Sequence, residues 1–319
     1  MIFFLEAVLN GLMAGVMYSL VAIGFVLIFK ASGVFNFAQG VMALFAGLTL
    51  VGLMTGTLPV THAQIGAYAL PSWAAIPATI GIMILLAVLI ERLVLRHLVN
   101  QEPIILFMAT LGLAYVLEGL GDILWGSDVK VVPLQLPSGA NDFLLDNFNL
   151  YVDNLELFAA AVATILVIVL AIFFSKTRIG RALRAVADDH QAALSVGISL
   201  QTIWIIVWSV AGMVAMVAGI MWGAKSGIQF SLSLIALKAL PVLILGGFTS
   251  IPGAIVGGLI IGVGEKIAEI YLGDVFNFAF GWDPQMFKAI ENWFAYVLAL
   301  IFLLFRPQGL FGDKIIDRV

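Results

Sequence analysis

The chain of 319 residues is 62% hydrophobic and 11% charged, with a mean hydropathy of +1.13, whereas soluble domains are roughly 45–50% apolar and 25% charged. A water-soluble enzyme or binding module is excluded, and an all-α polytopic integral membrane protein is indicated. The net charge of -4 says little, because in such proteins the placement of Lys and Arg matters more than their sum, and the lack of cysteine rules out disulfides, thiolate metal sites and cysteine nucleophiles.

Residues 1–30 carry Glu6 ahead of a long apolar run, and Lys30 follows it. A cleaved signal peptide would open on positive charge, so this reads as a retained first span with its N-terminus outside. Runs able to cross about 30 Å of hydrocarbon need about 20 residues. They fall near 7–29, 36–55, 74–95, 103–125, 156–175, 202–223, 235–248, 253–272 and 289–305. The expectation is eight or nine transmembrane helices in a single membrane domain over 1–319, with a short broken or re-entrant segment near 235–250 that contains Pro241. With nine spans the C-terminus is cytoplasmic. The inner segments then hold Lys30, Arg92, Arg96, Lys176, Arg178, Arg181, Arg184, Arg306, Lys314 and Arg318, which include every arginine of the chain, as the positive-inside rule requires. No Asn-x-Ser/Thr acceptor is present, which fits a bacterial protein.

Within GVFNFAQG at 33–40, Asn36 suits a helix cap, whereas Gln39, at the start of the second span, is better explained by a polar interior bordering a conduit. Glu118 and Asp122 share a helix face in the fourth run, and Glu265 and Glu269 do the same in the eighth, with Lys266 beside them. Charges at such depth face protein or water and find partners. They would either build an ion relay or sit near the outer span ends and meet headgroups or Lys238, for which no partner can be assigned. Residues 126–155, rich in Pro, Gly, Asn and Asp with alternating apolar positions, read as an extracytoplasmic cap or short hairpin. Glycines at spacing four, Gly11 and Gly15, Gly219, Gly223 and Gly227, Gly253 and Gly257, Gly258 and Gly262, permit close helix approach.

The one long polar and basic stretch is KTRIGRALRAVADDHQAALSVGISL at 176–200. Arg178, Arg181 and Arg184 precede Asp188 and Asp189, the reverse of the order a helix dipole prefers. Two short helices are therefore expected, with a break near Ala187 and Asp188, a capping box from Asp188 to Gln191 and Gly197 at the end. Ile179, Leu183 and Val186 give the first an apolar stripe. The segment is either a loop whose arginines set topology or a docking element for a partner protein. Further on, LKALPVLILGGFTSIPGAIVGG at 237–258 joins a proline-interrupted half-length run to a glycine turn. Irregular backbone at membrane depth is tolerated only against protein or a water-filled cavity, so Lys238, Gly246 and Gly247 border a path or form an ordinary turn.

GVGEKI at 262–267 lacks the glycine spacing and the Ser or Thr of a phosphate loop. His62, His97 and His190 show no metal-ligand spacing, and no nucleophile and base are paired. No catalytic residue, metal site or cofactor is therefore expected in this chain.

Taken in order, GVFNFAQG, TRIGRALRAVADDHQAALSVGI at 177–198, LKALPVLILGGFTSIPGAIVGG and RPQGLF at 306–311 resemble the branched-chain amino acid ABC transporter permeases of the LivH type. The resemblance implies a permease subunit of the bacterial inner membrane that pairs with a second homologous permease and receives solute from a periplasmic binding protein. Two ATP-binding subunits would hold and hydrolyse ATP with Mg; membrane lipid would surround the chain, and no nucleic acid is implied. It also implies that Arg184, Ala185, Ala187, Asp188 and Gly197 seat a cytoplasmic coupling segment in the ATPase, with the apolar stripe as contact face; the translocation path is expected, from the residue patterns above, to include Asn36, Gln39, Lys238, Gly246 and Gly247. Family members commonly carry His where this chain has Gln39, so a titratable role there is in doubt, although an amide still donates and accepts hydrogen bonds. Relatives handle other amino acids, amides or urea. Away from the resemblance, an ion-coupled carrier using Glu118, Asp122, Glu265 or Glu269 and a passive channel for a neutral solute stay open, the latter leaving the basic segment without a use.

Overall fold

The structure, a computed structural model, describes residues 2–98, 101–188, 190–281, 283 and 291–312, the side chains of Asp188, His190, Gln191, Glu291 and Asn292 excepted. Lys314 and Arg318 and the expected capping box from Asp188 to Gln191 lie outside the described residues. The helices are α1 (Ile2–Ser32), α2 (Gln39–Thr55), α3 (Ser72–Leu93), α4 (Pro103–Trp125), α5 (Asp142–Phe148), α6 (Asn154–Lys176), α7 (Arg178–Asp188), α8 (His190–Ser195), α9 (Leu200–Ser226), α10 (Ile235–Gly246), α11 (Ile251–Phe280) and α12 (Glu291–Phe305). Six of them, α1, α3, α4, α6, α9 and α11, are long and apolar enough to cross a membrane, and Gln39–Thr55, Phe230–Gly246 and Trp293–Phe305 are shorter apolar helices. Each of the nine expected runs overlaps one of these helices. Among the described residues there is no strand, only isolated bridges.

Contacts divide the chain into two units. The first comprises residues 1–22, 136–167 and 237–319, the second residues 23–135 and 168–236. In the first unit the glycine pairs bring α1 and α11 into backbone contact. A Cβ on Gly15 would stand 2.6 Å from the Gly258 carbonyl oxygen and 2.8 Å from Leu259 Cα, and one on Gly11 would stand 2.7 Å from Val263 Cα. Ser19 Oγ donates to Gly15 O at 2.8 Å and to Ile255 O at 3.2 Å across the same crossing. Packing of this kind replaces the hydrophobic drive that lipid removes.

The 126–155 segment departs from a hairpin. Asn141 Oδ1 accepts from Leu144 N at 3.0 Å and starts α5, and Asn149, at φ 57°, ends it. Residues 140 and 153 then close the loop as a bridge, and Leu150 and Val152 pack on Met13 of α1. An Asx cap ahead of apolar residues at helical spacing outweighs the alternation that suggested strands.

In the second unit α2 is enclosed, buried from Gln39 to Gly52, and meets α3, α4, α9 and the 230–234 turn. Gly219 of α9 lies directly over Ala43 of α2. α3 turns Ala75, Thr79, Met83, Ala87 and Ile90 inward and α4 turns in Leu106, Thr110, Ala114, Leu117, Gly121 and Trp125, while Leu85, Leu89, Tyr115 and Val116 are exposed. Large apolar side chains thus face outward as well as inward, the arrangement of helices solvated by lipid.

Candidate functional site

Gly33, at φ 68°, ends α1 by donating its N–H to Phe29 O at 2.7 Å. The chain then re-enters helix through an Asx turn, in which Ala38 N donates to Asn36 Oδ1 at 3.1 Å. Asn36 Nδ2 donates to Gln39 Oε1 at 3.4 Å, and Gln39 Nε2 donates to the Ala211 carbonyl of α9 at 3.2 Å. The Gln39 amide occupies the space that a side chain on Gly24 of α1 would need. Asn36 and Gln39 are 0% and 2% exposed, so in this conformation both amides are held by protein. Asn36 and Gln39 of the 33–40 motif thus meet, and two side chains distant in sequence, with no local signal, pin the same loop. Thr110 of α4 donates to Phe35 O at 3.1 Å and accepts from Phe37 N at 3.2 Å, and Trp204 of α9 donates to Ala31 O at 3.3 Å.

Lys238, in the first unit, finds its partner in Glu265 of α11, with Nζ 3.7 Å from Oε1. Glu269 pairs with Lys266 instead, at 2.7 Å. Glu265 and Glu269 are therefore each paired with a lysine, the arrangement expected of charges at depth. Glu118 of α4 is partly exposed and Asp122 is exposed, both on the outer face of their own unit. Among the described residues no group of His, Asp or Glu could hold a metal ion. Beside the Lys266–Glu269 pair lies a pocket of about 280 Å³ lined by Glu6, Asn10, Tyr151, Asp153 and Glu156.

Gly246 and Gly247 carry a close approach of backbones. Gly246 sits directly on the Gly253 carbonyl, and a Cβ on Gly247, which has φ 102°, would stand 2.7 Å from Gly312 N. The RPQGLF segment crosses here, with Leu310 N donating to Leu245 O at 2.8 Å and Phe311 N to Gly246 O at 3.1 Å. Carbonyls that end a helix lack intrahelical donors, and the 306–312 segment supplies them. The end of α10 and the segment after α12 therefore lie at one end of the first unit. The Trp204 bond does the same for the end of α1 and the start of α9 in the second.

α7 is set against the end of α6. Thr177 Oγ1 accepts from Gly180 N at 3.1 Å, an N-cap, and donates to Phe173 O at 2.6 Å. Gly180 lies on the Phe174 carbonyl, and Arg184 Nη1 donates to that oxygen at 2.5 Å. α7 stops at Asp188 and α8 starts at His190. Gly197, at φ 83°, closes α8 as Gly197 N meets Leu194 O and Ile198 N meets Ala193 O, both at 3.0 Å, a left-handed cap. The apolar stripe is spent internally, since Leu183 and Val186 are buried and α7 packs on α8 and α9. It is not a free contact face. Ala185 and Ala187 are half-buried, and Arg178, Arg181, Leu194 and Val196 are exposed.

The family model for the branched-chain amino acid transport system permease component matches residues 7–306. Similar proteins include the high-affinity branched-chain amino acid transport system permease protein LivH of Escherichia coli (strain K12), 28% identical with 100% of this chain and 98% of that protein covered. Another is the corresponding protein BraD of Pseudomonas aeruginosa, 29% identical over 99% of this chain and 98% of the relative. A third is a probable LivH of Methanocaldococcus jannaschii, 28% identical over 92% and 88%. Among solved structures, PsaBC from Streptococcus pneumoniae in complex with Fab aligns with 94% of this chain and 91% of that one at a TM-score of 0.46 and 15% sequence identity. A family match across almost the whole length, on a bundle of apolar helices whose outer surfaces suit lipid, makes the chain a membrane protein that belongs to the branched-chain amino acid transport permease family.

Proposed function

We propose that this chain is the membrane-spanning subunit of an ATP-driven importer for branched-chain or related amino acids in the bacterial inner membrane. Solute arrives from a periplasmic binding protein, a second homologous permease completes the path, and two partner subunits bind and hydrolyse ATP. The observation that carries the reading is the family match over residues 7–306. The seating of α7 and α8 supports it. Arg184 and Thr177 tie α7 to the end of α6, and Leu183 and Val186 tie it to the chain's own interior, so a push on the exposed surface is passed to α6 and α9 rather than absorbed by a loose loop.

The contact surface for the ATPase is then the arginine side of α7 with the exposed Leu194 and Val196 of α8, and Ala185, Ala187 and Gly197 shape the helix pair beneath it. Helix-end pairings support a nine-span path with the N-terminus outside and the C-terminus cytoplasmic, since both the α1–α9 pair and the α10–306–312 pair fall on the ends that this count makes cytoplasmic. The test is reconstitution of the chain with its partner subunits and binding protein. Uptake of labelled leucine that requires internal ATP is expected, and uptake by this chain alone under an ion gradient would instead establish the ion-coupled reading.

A further inference from the structure

α10 is a half-length helix of 12 residues with Pro241 inside it. Proline has no N–H, so the carbonyl four residues earlier, that of Leu237, loses its helical donor. In a membrane such a carbonyl must find another partner. The donor comes from a different helix, as Tyr296 Oη of α12 donates to Leu237 O at 2.7 Å. The next residue, Lys238, is held by Glu265 of α11 at 3.7 Å. Beyond Pro241 the attachments differ in kind: Gly246 packs on Gly253 of α11, and Leu245 O and Gly246 O accept from the 310–311 backbone. The helix is thus two short pieces, each anchored separately, and joined where one helical bond is missing.

We propose that Tyr296 is the positioning residue that replaces the missing N–H of Pro241, forming a releasable clasp on α10, and that its release lets α10 bend at Pro241 during transport. A phenol on another helix lets go when that helix shifts, which a backbone N–H of the same helix cannot do. The link to transport rests on the reading that the α10–α11 turn borders the solute path.

The substitution Pro241→Ala restores the N–H and makes the phenol redundant, which gives a two-by-two test. Wild type, Tyr296→Phe, Pro241→Ala and the double variant are prepared in the complete transporter. The chain has no cysteine, so Leu237→Cys, which keeps the carbonyl, serves as a single labelling site in all four. Tyr296→Phe is expected to raise maleimide labelling about three- to tenfold, the weight of one net hydrogen bond, and to lower thermal stability. Adding Pro241→Ala is expected to return both to the wild-type value. An ATP-dependent change in labelling is expected in the wild type and is expected to vanish in Pro241→Ala. A double variant as loose as Tyr296→Phe overturns the clasp, and an undiminished ATP response in Pro241→Ala overturns its release. Leucine uptake is measured in the same vesicles. Its absence alongside an intact labelling cycle contradicts the amino-acid reading while leaving the clasp supported.

Discussion

Replacing Gln39 by Leu separates a structural amide from one that handles solute. The side chain is 2% exposed, and Leu has similar bulk, so the change removes polarity with little change in packing. Two bonds are lost, one of 3.4 Å from Asn36 and one of 3.2 Å to Ala211 O. Both are long, and side-chain hydrogen bonds between membrane helices average about 0.6 kcal/mol. Asn36 Nδ2 keeps only the weak contact with Met42 Sδ at 3.7 Å, which adds part of the roughly 1–3 kcal/mol cost of an unsatisfied buried donor. The sum is about 1–3 kcal/mol, an apparent melting shift of several degrees. Thermal unfolding in detergent, followed through the emission of the seven tryptophans, reads it directly. Uptake should fall no further than the loss of folded protein explains. Unchanged stability with abolished uptake would refute the reasoning and return Gln39 to the solute path.

At the α1–α11 crossing, Gly15→Leu drives a side chain into the Gly258 carbonyl and Leu259 Cα, backbone on both counts. A cost at or above about 3 kcal/mol and loss of monodisperse protein on size exclusion are expected. Gly81→Ala in α3 is the control, because a Cβ there meets nothing within 4 Å, and it should stabilise by about 0.5–1 kcal/mol. Gly197→Val places a β-branched residue at φ 83° in otherwise open space, a local cost of about 1–3 kcal/mol. The expected outcome is normal membrane insertion with ATP hydrolysis uncoupled from uptake, read by parallel ATPase and uptake assays. Normally coupled transport by that variant would count against α7–α8 as the docking element.

How far the sequence could be read follows from which interactions are local. Helix positions came from apolar runs, the break in 176–200 came from Arg178, Arg181 and Arg184 preceding Asp188 and Asp189, and the end of the second short helix came from Gly197, all within a few turns. The 141–149 helix was equally local, in Asn141 and Asn149, but alternating apolar residues masked it. Helix faces were illegible, because lipid is as apolar as the interior and α3 and α4 turn Ala75, Thr79, Thr110 and Ala114 inward. Periodicity showed that Ile179, Leu183 and Val186 share a face without showing what covers them. Glu265 as the partner of Lys238, Thr110 as the anchor of the 33–38 loop and Tyr296 as the surrogate for the proline N–H are long-range pairings, which no spacing rule predicts.

The account stands most directly on uptake of labelled leucine by proteoliposomes holding the complete transporter, with the binding protein outside and ATP or a non-hydrolysable analogue inside. It predicts accumulation above the external concentration with ATP and binding protein together, and none when either is withheld. Accumulation that persists without ATP and collapses with an ion gradient would contradict it.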